Sequence, residues 1–108
     1  SEPETRAVIA LVEKLQPAKI LSLHDPYRVN NYDGAQSAEL ARAMAEYNGY
    51  PVKDSIGYPT PGSLGTWAGV ERRTPIVTLE IPNGDTPSRW RENKWALLAA
   101  IRHKSTHE

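Results

Sequence analysis

The chain contains no cysteine, no phenylalanine and a single methionine among its 108 residues. Without cysteine it can form no disulfide, no thiolate metal site and no cysteine nucleophile. Charge of either sign is not in excess, because thirteen lysines and arginines balance thirteen aspartates and glutamates. No basic cluster extends beyond Arg72-Arg73, so the sequence lacks the positive field of a nucleic-acid-binding surface. We therefore expect no nucleic-acid partner.

Long apolar runs are also absent. No run approaches the roughly 20 residues that cross a bilayer, and the chain does not start like a signal peptide. We predict no membrane partner, a cytoplasmic location, and one domain with a modest hydrophobic core. Because Ser1 stands where an initiator methionine would be, we expect a processed or excised piece of a longer protein.

Three segments have the apolar spacing of amphipathic helices. They are a helix from a Ser1/Glu4 capping box to Pro17, a helix over 35–48, and a helix that starts at the N-cap Thr86 with Pro87 behind it. The residues predicted to face inward are Ala7, Val8, Leu11, Val12 and Leu15 in the first helix, Leu40, Met44 and Tyr47 in the second, and Trp95, Leu98, Ala99 and Ile101 in the third. Residues 104–108 are predicted to fray.

Strands are predicted at 18–23, near 51–56 and at 74–82, with one or two helical turns around Leu64–Gly69. The first strand lacks clean alternation, so we expect it to be covered on both faces. The stretch DPYRVNNYDGA, residues 25–35, predicts a loop because of its proline, asparagines and Asp-Gly pair. This order of elements predicts an α/β domain, in which helices cover both faces of a mixed, mostly parallel sheet.

Two titratable residues end predicted strands. His24 follows the strand at 18–23, and Glu80 lies at the end of the strand at 74–81. Ligands bind beyond the carboxyl ends of strands in open α/β sheets, so His24 can ligate a metal and Glu80 can act as a general base. Simpler interpretations remain open at this stage: His24 can cap a loop carbonyl, and Glu80 can be a solvated glutamate.

Four stretches, taken in order, resemble the zinc carboxypeptidase (funnelin) family, and within it the branch that acts on bacterial murein peptides. The stretches are SEPETRAV, ILSLHDP, SIGYPTPGSLGTWAG and IVTLEIP. They span residues 1–82, and the closing helix fits as well. The combination is specific, since it joins a histidine at a strand end, a tyrosine loop with a Gly-Ser pair and a Thr-x-Glu strand.

The resemblance implies a role for each of five residues. His24 matches the third zinc ligand. Glu80 matches the glutamate that takes a proton from the zinc-bound water and passes it to the leaving amine. Tyr58 matches the tyrosine that covers the substrate. Ser63 and Leu64 match the pocket for the residue beyond the scissile bond, and an apolar Leu64 there argues against a preference for C-terminal lysine or arginine.

The implied activity is that of a zinc-dependent metallopeptidase. Its implied cofactor is Zn²⁺, and its implied substrate is a small cell-wall (murein) peptide cleaved at the γ-D-glutamyl–diaminopimelate bond. The family takes its first two zinc ligands from a His-x-x-Glu motif that this chain lacks. We therefore expect residues 1–108 to be the C-terminal half of one catalytic domain, inactive alone and completed by its N-terminal part. A general metallocarboxypeptidase and a non-catalytic fragment or binding domain remain as alternatives.

Overall fold

Four strands form one mixed sheet in the computed structural model, which describes residues 2–55 and 64–104. The strands are β1 (Ile20–His24), β2 (Val29–Asp33), β3 (Val52–Asp54) and β4 (Ile76–Glu80). Their spatial order is β1-β4-β2-β3. The β1–β4 and β2–β3 pairs are parallel, whereas β2 and β4 are antiparallel. The mixed α/β sheet predicted from the order of elements is thus confirmed.

Three α-helices accompany the sheet in the described part of the chain: α1 (Glu2–Leu15), α2 (Ala38–Asn48) and α3 (Thr86–Arg102). A 3₁₀ turn at Ala35–Ser37 leads into α2, and a π-helical segment covers Thr66–Glu71. α2 ends at Gly49, whose φ of 68° is in the left-handed region that glycine adopts without strain. None of the described helices combines the length and apolar character needed to cross a bilayer.

The core lies where α2 and α3 pack on one face of the sheet. Its buried apolar members are Leu40, Ala41, Met44, Tyr50, Val77, Leu79, Ala96 and Ala100. β4 supplies Val77 and Leu79 from the interior of the sheet, where neighbouring strands flank it on both edges. α2 and α3 do not cover the opposite face of the sheet.

The predicted loop at 25–35 was wrong, because residues 29–33 form β2. Asparagine and aspartate are uncommon in strands, but strand preference depends strongly on context. Here the buried side-chain amides of Asn30 and Asn48 donate to each other, each over 3.0 Å. The Asn48 amide also donates to Asn93 of α3 over 3.2 Å. These bonds satisfy polar groups that the sequence pattern alone would place in water.

The inward faces predicted for the helices were partly wrong. Leu40 and Met44 are buried, but Tyr47 is exposed. In α3, Trp95 and Ile101 are 55% and 64% exposed, and Leu98 is also exposed. The residues that face the core are Asn93, Ala96 and Ala100. Alanines let α3 lie close against α2, and this close packing outweighs the burial of larger side chains elsewhere on the helix.

The start of α3 also differs from the prediction. Asp85 is the N-cap, and Thr86 is the first helical residue. The Asp85 carboxylate accepts a hydrogen bond of 2.8 Å from the Ser88 amide, which satisfies one of the free N–H groups at a helix start.

β1 and α1 are less covered than the sequence predicted. β1 is an edge strand of the described sheet, and its last two residues, Leu23 and His24, are exposed. α1 spans the predicted segment, although Ser1 and its part in the capping box lie outside the described residues. Of its predicted inward residues only Val12 is buried, whereas Val8, Leu11 and Leu15 are exposed. Within the described residues, an apolar face of α1 and one edge of β1 are therefore uncovered.

Candidate active site

His24 and Glu80 occupy paired positions on neighbouring parallel strands. β1 and β4 run side by side from Ile20 opposite Ile76 to His24 opposite Glu80. Paired residues of parallel strands project to the same face of the sheet, and such strands lie about 4.8 Å apart. The two side chains therefore stand together at the carboxyl ends of both strands, where α/β sheets bind ligands.

The backbone around this pair is held on both sides of β4. The Ile81 amide donates a hydrogen bond of 2.8 Å to the His24 carbonyl oxygen, one residue beyond the paired strands. Across the other edge of β4, Glu80 pairs with Val29 of β2. Glu80 thus projects from an interior strand, which is a rigid support for a reactive side chain.

One carboxylate oxygen of Glu80, Oε1, is buried without a hydrogen-bond partner among the described residues. Leaving a buried acceptor unsatisfied costs about 1–3 kcal/mol, and more when it is charged. The sequence-based alternative of a fully solvated glutamate does not describe this atom. The carboxylate is placed to accept a proton or a hydrogen bond from a bound molecule, whereas His24 beside it is exposed.

A row of polar residues crosses the sheet one step below this pair. Register places Ser22 opposite Thr78, Thr78 opposite Asn31, and Asn31 opposite Lys53. Side chains two residues apart along a strand point the same way, so this row shares a face with His24 and Glu80. We call it the polar face; its members are Ser22, His24, Asn31, Lys53, Thr78 and Glu80.

Hydrogen bonds fix the part of the polar face that β2 contributes. The Ser55 hydroxyl donates to Asn31 Oδ1 over 2.6 Å, and the Asn31 amide donates to the Asp54 carbonyl over 3.4 Å. Asp33 lies further along β2 and is buried. Burial raises the pKa of the Asp33 carboxyl above its ordinary value, while the neighbouring Ser55 side chain opposes this shift. Sequence analysis missed Asn31 and Asp33 because it took their segment for a loop.

The predicted substrate-contacting residues fall partly outside the described structure. Tyr58 and Ser63 belong to the segment 56–63, which is not described. Leu64 is half-buried and directly precedes Gly65. A Cβ atom at Gly65 would lie 2.2 Å from Asp33 Oδ2, so a side chain there would collide with the carboxylate. Leu64 is therefore next to the residue that contacts Asp33.

The described residues do not form a complete zinc site. Within 2–55 and 64–104 no three histidine, cysteine, aspartate or glutamate side chains form a metal-binding group. Catalytic zinc usually takes three protein ligands and a water. His24 fits one of these positions, since its imidazole is exposed at a strand end beside an unpartnered carboxylate.

A cavity of about 550 Å³ opens beside His24, towards the start of α3. Its lining includes Leu23, Asp25, Ile81, Thr86 and Arg89. Ile81 packs on the core that α2 and α3 cover, so this cavity reaches the opposite side of the sheet from the polar face. It lies along the exposed end of β1 and not between His24 and Glu80.

No family model matches the chain. Two similar proteins of known name are both murein peptide amidases. Murein peptide amidase A of Vibrio campbellii is 32% identical over 102 residues, which cover 94% of this chain and 40% of that protein. Murein peptide amidase A of Escherichia coli K12 is 37% identical over 82 residues, which cover 76% of this chain and 33% of that protein.

A solved structure shows the same fold. The murein-tripeptide amidase of Escherichia coli O157 matches with a TM-score of 0.70 and 28% identity, over 96% of this chain and 42% of that one. The match in sequence and the match in structure agree with the resemblance seen in the sequence stretches. The chain therefore belongs to the family of the murein peptide amidases, and it spans about two fifths of the length of the Vibrio relative.

Proposed function

We propose that this chain is part of a zinc-dependent amidase that hydrolyses an amide bond in a murein peptide, the γ-D-glutamyl–diaminopimelate bond. The observation that carries the proposal is the register of β1 and β4, which sets His24 beside Glu80 on one face of the sheet. The named relatives act on murein peptides. That substrate class agrees with the resemblance of the site-bearing stretches.

Glu80 is proposed as the general base and then the general acid. Its unpartnered Oε1 accepts a proton from the attacking water, and the same carboxyl group then donates that proton to the leaving amine. Because Glu80 belongs to an interior strand, its carboxylate is held in position during both proton transfers. A bound zinc ion would act as a Lewis acid that lowers the pKa of water, with His24 as one of its ligands.

The proposed substrate contacts are Tyr58, Ser63 and Leu64. Only Leu64 lies in the described structure, where it precedes the glycine that contacts Asp33. The proposed pocket for the leaving residue therefore lies on the β2 side of Glu80. Asn31 and Thr78 of the polar face lie between Glu80 and this proposed pocket.

The proposed partner of this chain is the remaining part of the same domain. The chain spans 40% of the Vibrio relative, and it leaves the β1 edge and the apolar side of α1 open. An unpaired strand edge and an exposed apolar stripe favour association with a complementary segment. That segment would also contribute the further zinc ligands. We refer to the assembled protein as the complete domain.

The test is Glu80→Gln in the complete domain, with hydrolysis of the murein tripeptide and zinc content measured on the same sample. We expect kcat to fall by about 10²–10⁴-fold, the usual contribution of a general base, with zinc retained. His24→Ala should instead lose both zinc and turnover. Glu46→Gln, a change at an exposed carboxylate of α2, serves as the matched control.

Three results would contradict the proposal. Unchanged turnover in Glu80→Gln removes this residue from the role of base. Zinc retained at full occupancy in His24→Ala removes that residue from the ligand set. Equal cleavage of ordinary C-terminal peptides and of the tripeptide indicates a general carboxypeptidase.

A further inference from the structure

The cavity beside His24 has no part in the proposed reaction. Its volume of about 550 Å³ is within the range of roughly 300–1,000 Å³ that is usual for small-molecule sites. Its lining combines the end of β1 with the connection from β4 to α3, so it opens beyond the carboxyl ends of two neighbouring parallel strands. Open α/β sheets bind ligands at such a place. The cavity is therefore a candidate subsite that adjoins the proposed site.

Of the residues that line this cavity, Arg89 alone carries a permanent positive charge. Its guanidinium group is held in one direction, because Nη1 donates hydrogen bonds of 2.8 Å to both carboxylate oxygens of Glu92. Glu92 Oε1 in turn accepts a hydrogen bond of 2.6 Å from the hydroxyl of Tyr50, which is buried. The cation is thus anchored to the core before any ligand arrives.

The opposite edge of the same guanidinium, formed by Nε and Nη2, faces Gly84. Nε is a buried donor that has no hydrogen-bond partner in the described part of the chain, and an unsatisfied buried donor is destabilising. A Cβ at Gly84 would lie 2.6 Å from Nη2 and 2.7 Å from Nε. Glycine therefore leaves a space that any other residue would fill. Two such N–H groups form the fork that binds both oxygens of a carboxylate.

The acidic residues nearby leave this fork available. The Asp85 carboxylate accepts hydrogen bonds from the amide and the hydroxyl of Ser88, over 2.8 Å and 2.9 Å. Asp25 lines the cavity next to His24, at the end of β1, and is exposed. The part of the cavity near α3 thus offers hydrogen-bond donors and a positive charge to an anionic group.

We propose that Arg89 is a specificity-determining residue that binds a free carboxylate on the acyl half of the substrate. The proposal rests on the proposed function, because it takes Glu80 as the donor to the leaving amine. The leaving residue then lies on the side of Glu80, and the acyl half lies on the side of His24, where the cavity opens. A glutamyl residue that is joined through its γ-carboxyl group keeps its α-carboxylate free, a few bonds from the scissile carbonyl. This α-carboxylate is the group that we assign to Arg89.

The experiment compares three substrates on the complete domain. They are the murein tripeptide, the same peptide with the glutamyl α-carboxylate converted to a carboxamide, and the tripeptide with the C-terminal carboxylate of the leaving residue converted instead. We expect kcat/KM to be at least tenfold higher for the tripeptide than for the glutamyl carboxamide. In Arg89→Met this preference should fall below threefold, while zinc content and the discrimination against the third substrate stay unchanged.

Two further variants sharpen the comparison. Arg89→Lys keeps the charge but loses the fork, and should show an intermediate preference. Arg91→Met removes an exposed arginine of the same helix that does not line the cavity. It is the matched control and should keep the full preference.

The outcomes separate this inference from the proposed function. If the wild-type domain cleaves the tripeptide and the glutamyl carboxamide equally well, the inference fails while the amidase proposal stands; this result requires no variant to fold. A full preference retained in Arg89→Met also overturns it. If Arg89→Met loses its discrimination against the third substrate instead, Arg89 contacts the leaving residue and the assignment to the acyl half is wrong. If the wild-type domain cleaves none of the three, both proposals fail.

Discussion

At the scale of single residues, a network of buried polar contacts joins β2 to the two core helices. Asn48 is the centre of this network, since its side chain bonds Asn30 and Asn93 and its Oδ1 also accepts the Tyr50 amide over 3.0 Å. These groups are buried, so removing Asn48 leaves several of them without partners. The network positions the strand that carries Asn31 and Asp33.

We expect Asn48→Ala to lower the free energy of unfolding of the complete domain by about 1–3 kcal/mol, the cost of buried polar groups left unsatisfied. Urea denaturation would measure it. Asn83→Ala, at an exposed loop position, is the control and should change stability by less than about 0.5 kcal/mol. Equal midpoints for the two variants would show that the buried amides contribute nothing.

A second residue-scale prediction concerns the N-cap of α3. Two hydrogen bonds from Ser88, first that of its amide and then that of its hydroxyl, hold the pKa of Asp85 below its ordinary value of 3.8. Since the folded-state pKa is depressed, the stabilisation is complete above the unfolded value and disappears as the pH falls through the folded value. Asp85→Ala should therefore unfold at lower urea concentration than wild type at pH 7, and the two midpoints should converge below about pH 3.8.

The measurement is a series of urea titrations from pH 7 to pH 2. A gap between wild type and Asp85→Ala that stays constant across this range would mean that the charge of the carboxylate plays no part in capping α3.

At the scale of elements, α3 shows that helix packing is decided by small residues. Its buried side is formed by Asn93, Ala96 and Ala100, while Trp95 is exposed. Ala96→Leu should overpack the contact with α2 and cost about 1–3 kcal/mol. Trp95→Ala should change stability by less than about 0.5 kcal/mol.

The pair of variants decides between two orientations of the same helix. If Trp95 faced the core, as its spacing suggested, its truncation would cost about 3–5 kcal/mol and Ala96→Leu would be tolerated. Urea denaturation of both variants of the complete domain gives the answer directly.

The limits of prediction from sequence follow from the same elements. β1, β4, α1 and α2 were predictable because runs of apolar residues and terminators such as Pro17 and Gly49 act locally. β2 was not, since Asn30 and Asp33 become acceptable in a strand only through partners distant in sequence. The side of α3 that faces the core could not be predicted, because it depends on how this helix packs against α2. At the site, strand ends predicted His24 and Glu80 individually, but only the pairing of β1 with β4 showed that they are neighbours.

At the scale of the whole molecule, the described residues include two exposed apolar surfaces, and we expect a different role for each. α1 exposes Leu11 and Leu15, whereas the outer side of α3 exposes Trp95. The apolar surface of α1 and the open edge of β1 are the ones assigned above to the rest of the domain. The outer side of α3 is assigned to solvent.

Mixing this chain with the remaining part of the domain should give a one-to-one complex that holds one zinc ion, measured by native mass spectrometry. Leu11→Lys/Leu15→Lys should raise the Kd at least tenfold, which is about 1.4 kcal/mol. Trp95→Lys, an equal change on the outer side of α3, should leave the Kd unaltered. Equal weakening by both changes would show that association is non-specific.

The interior place of β4 has a consequence for biosynthesis. Of the four described strands, β4 is the last along the chain, and it is the strand that joins β1 to β2 and β3. Until β4 emerges, the edge of β1 with which it pairs stays open, and an open apolar strand edge on a nascent chain favours aggregation or chaperone binding. Glu80, the proposed general base, is the last residue of that strand. A nascent chain whose translation stops before residue 80 therefore carries His24 without Glu80, and the proposed pair exists only after β4 has been made.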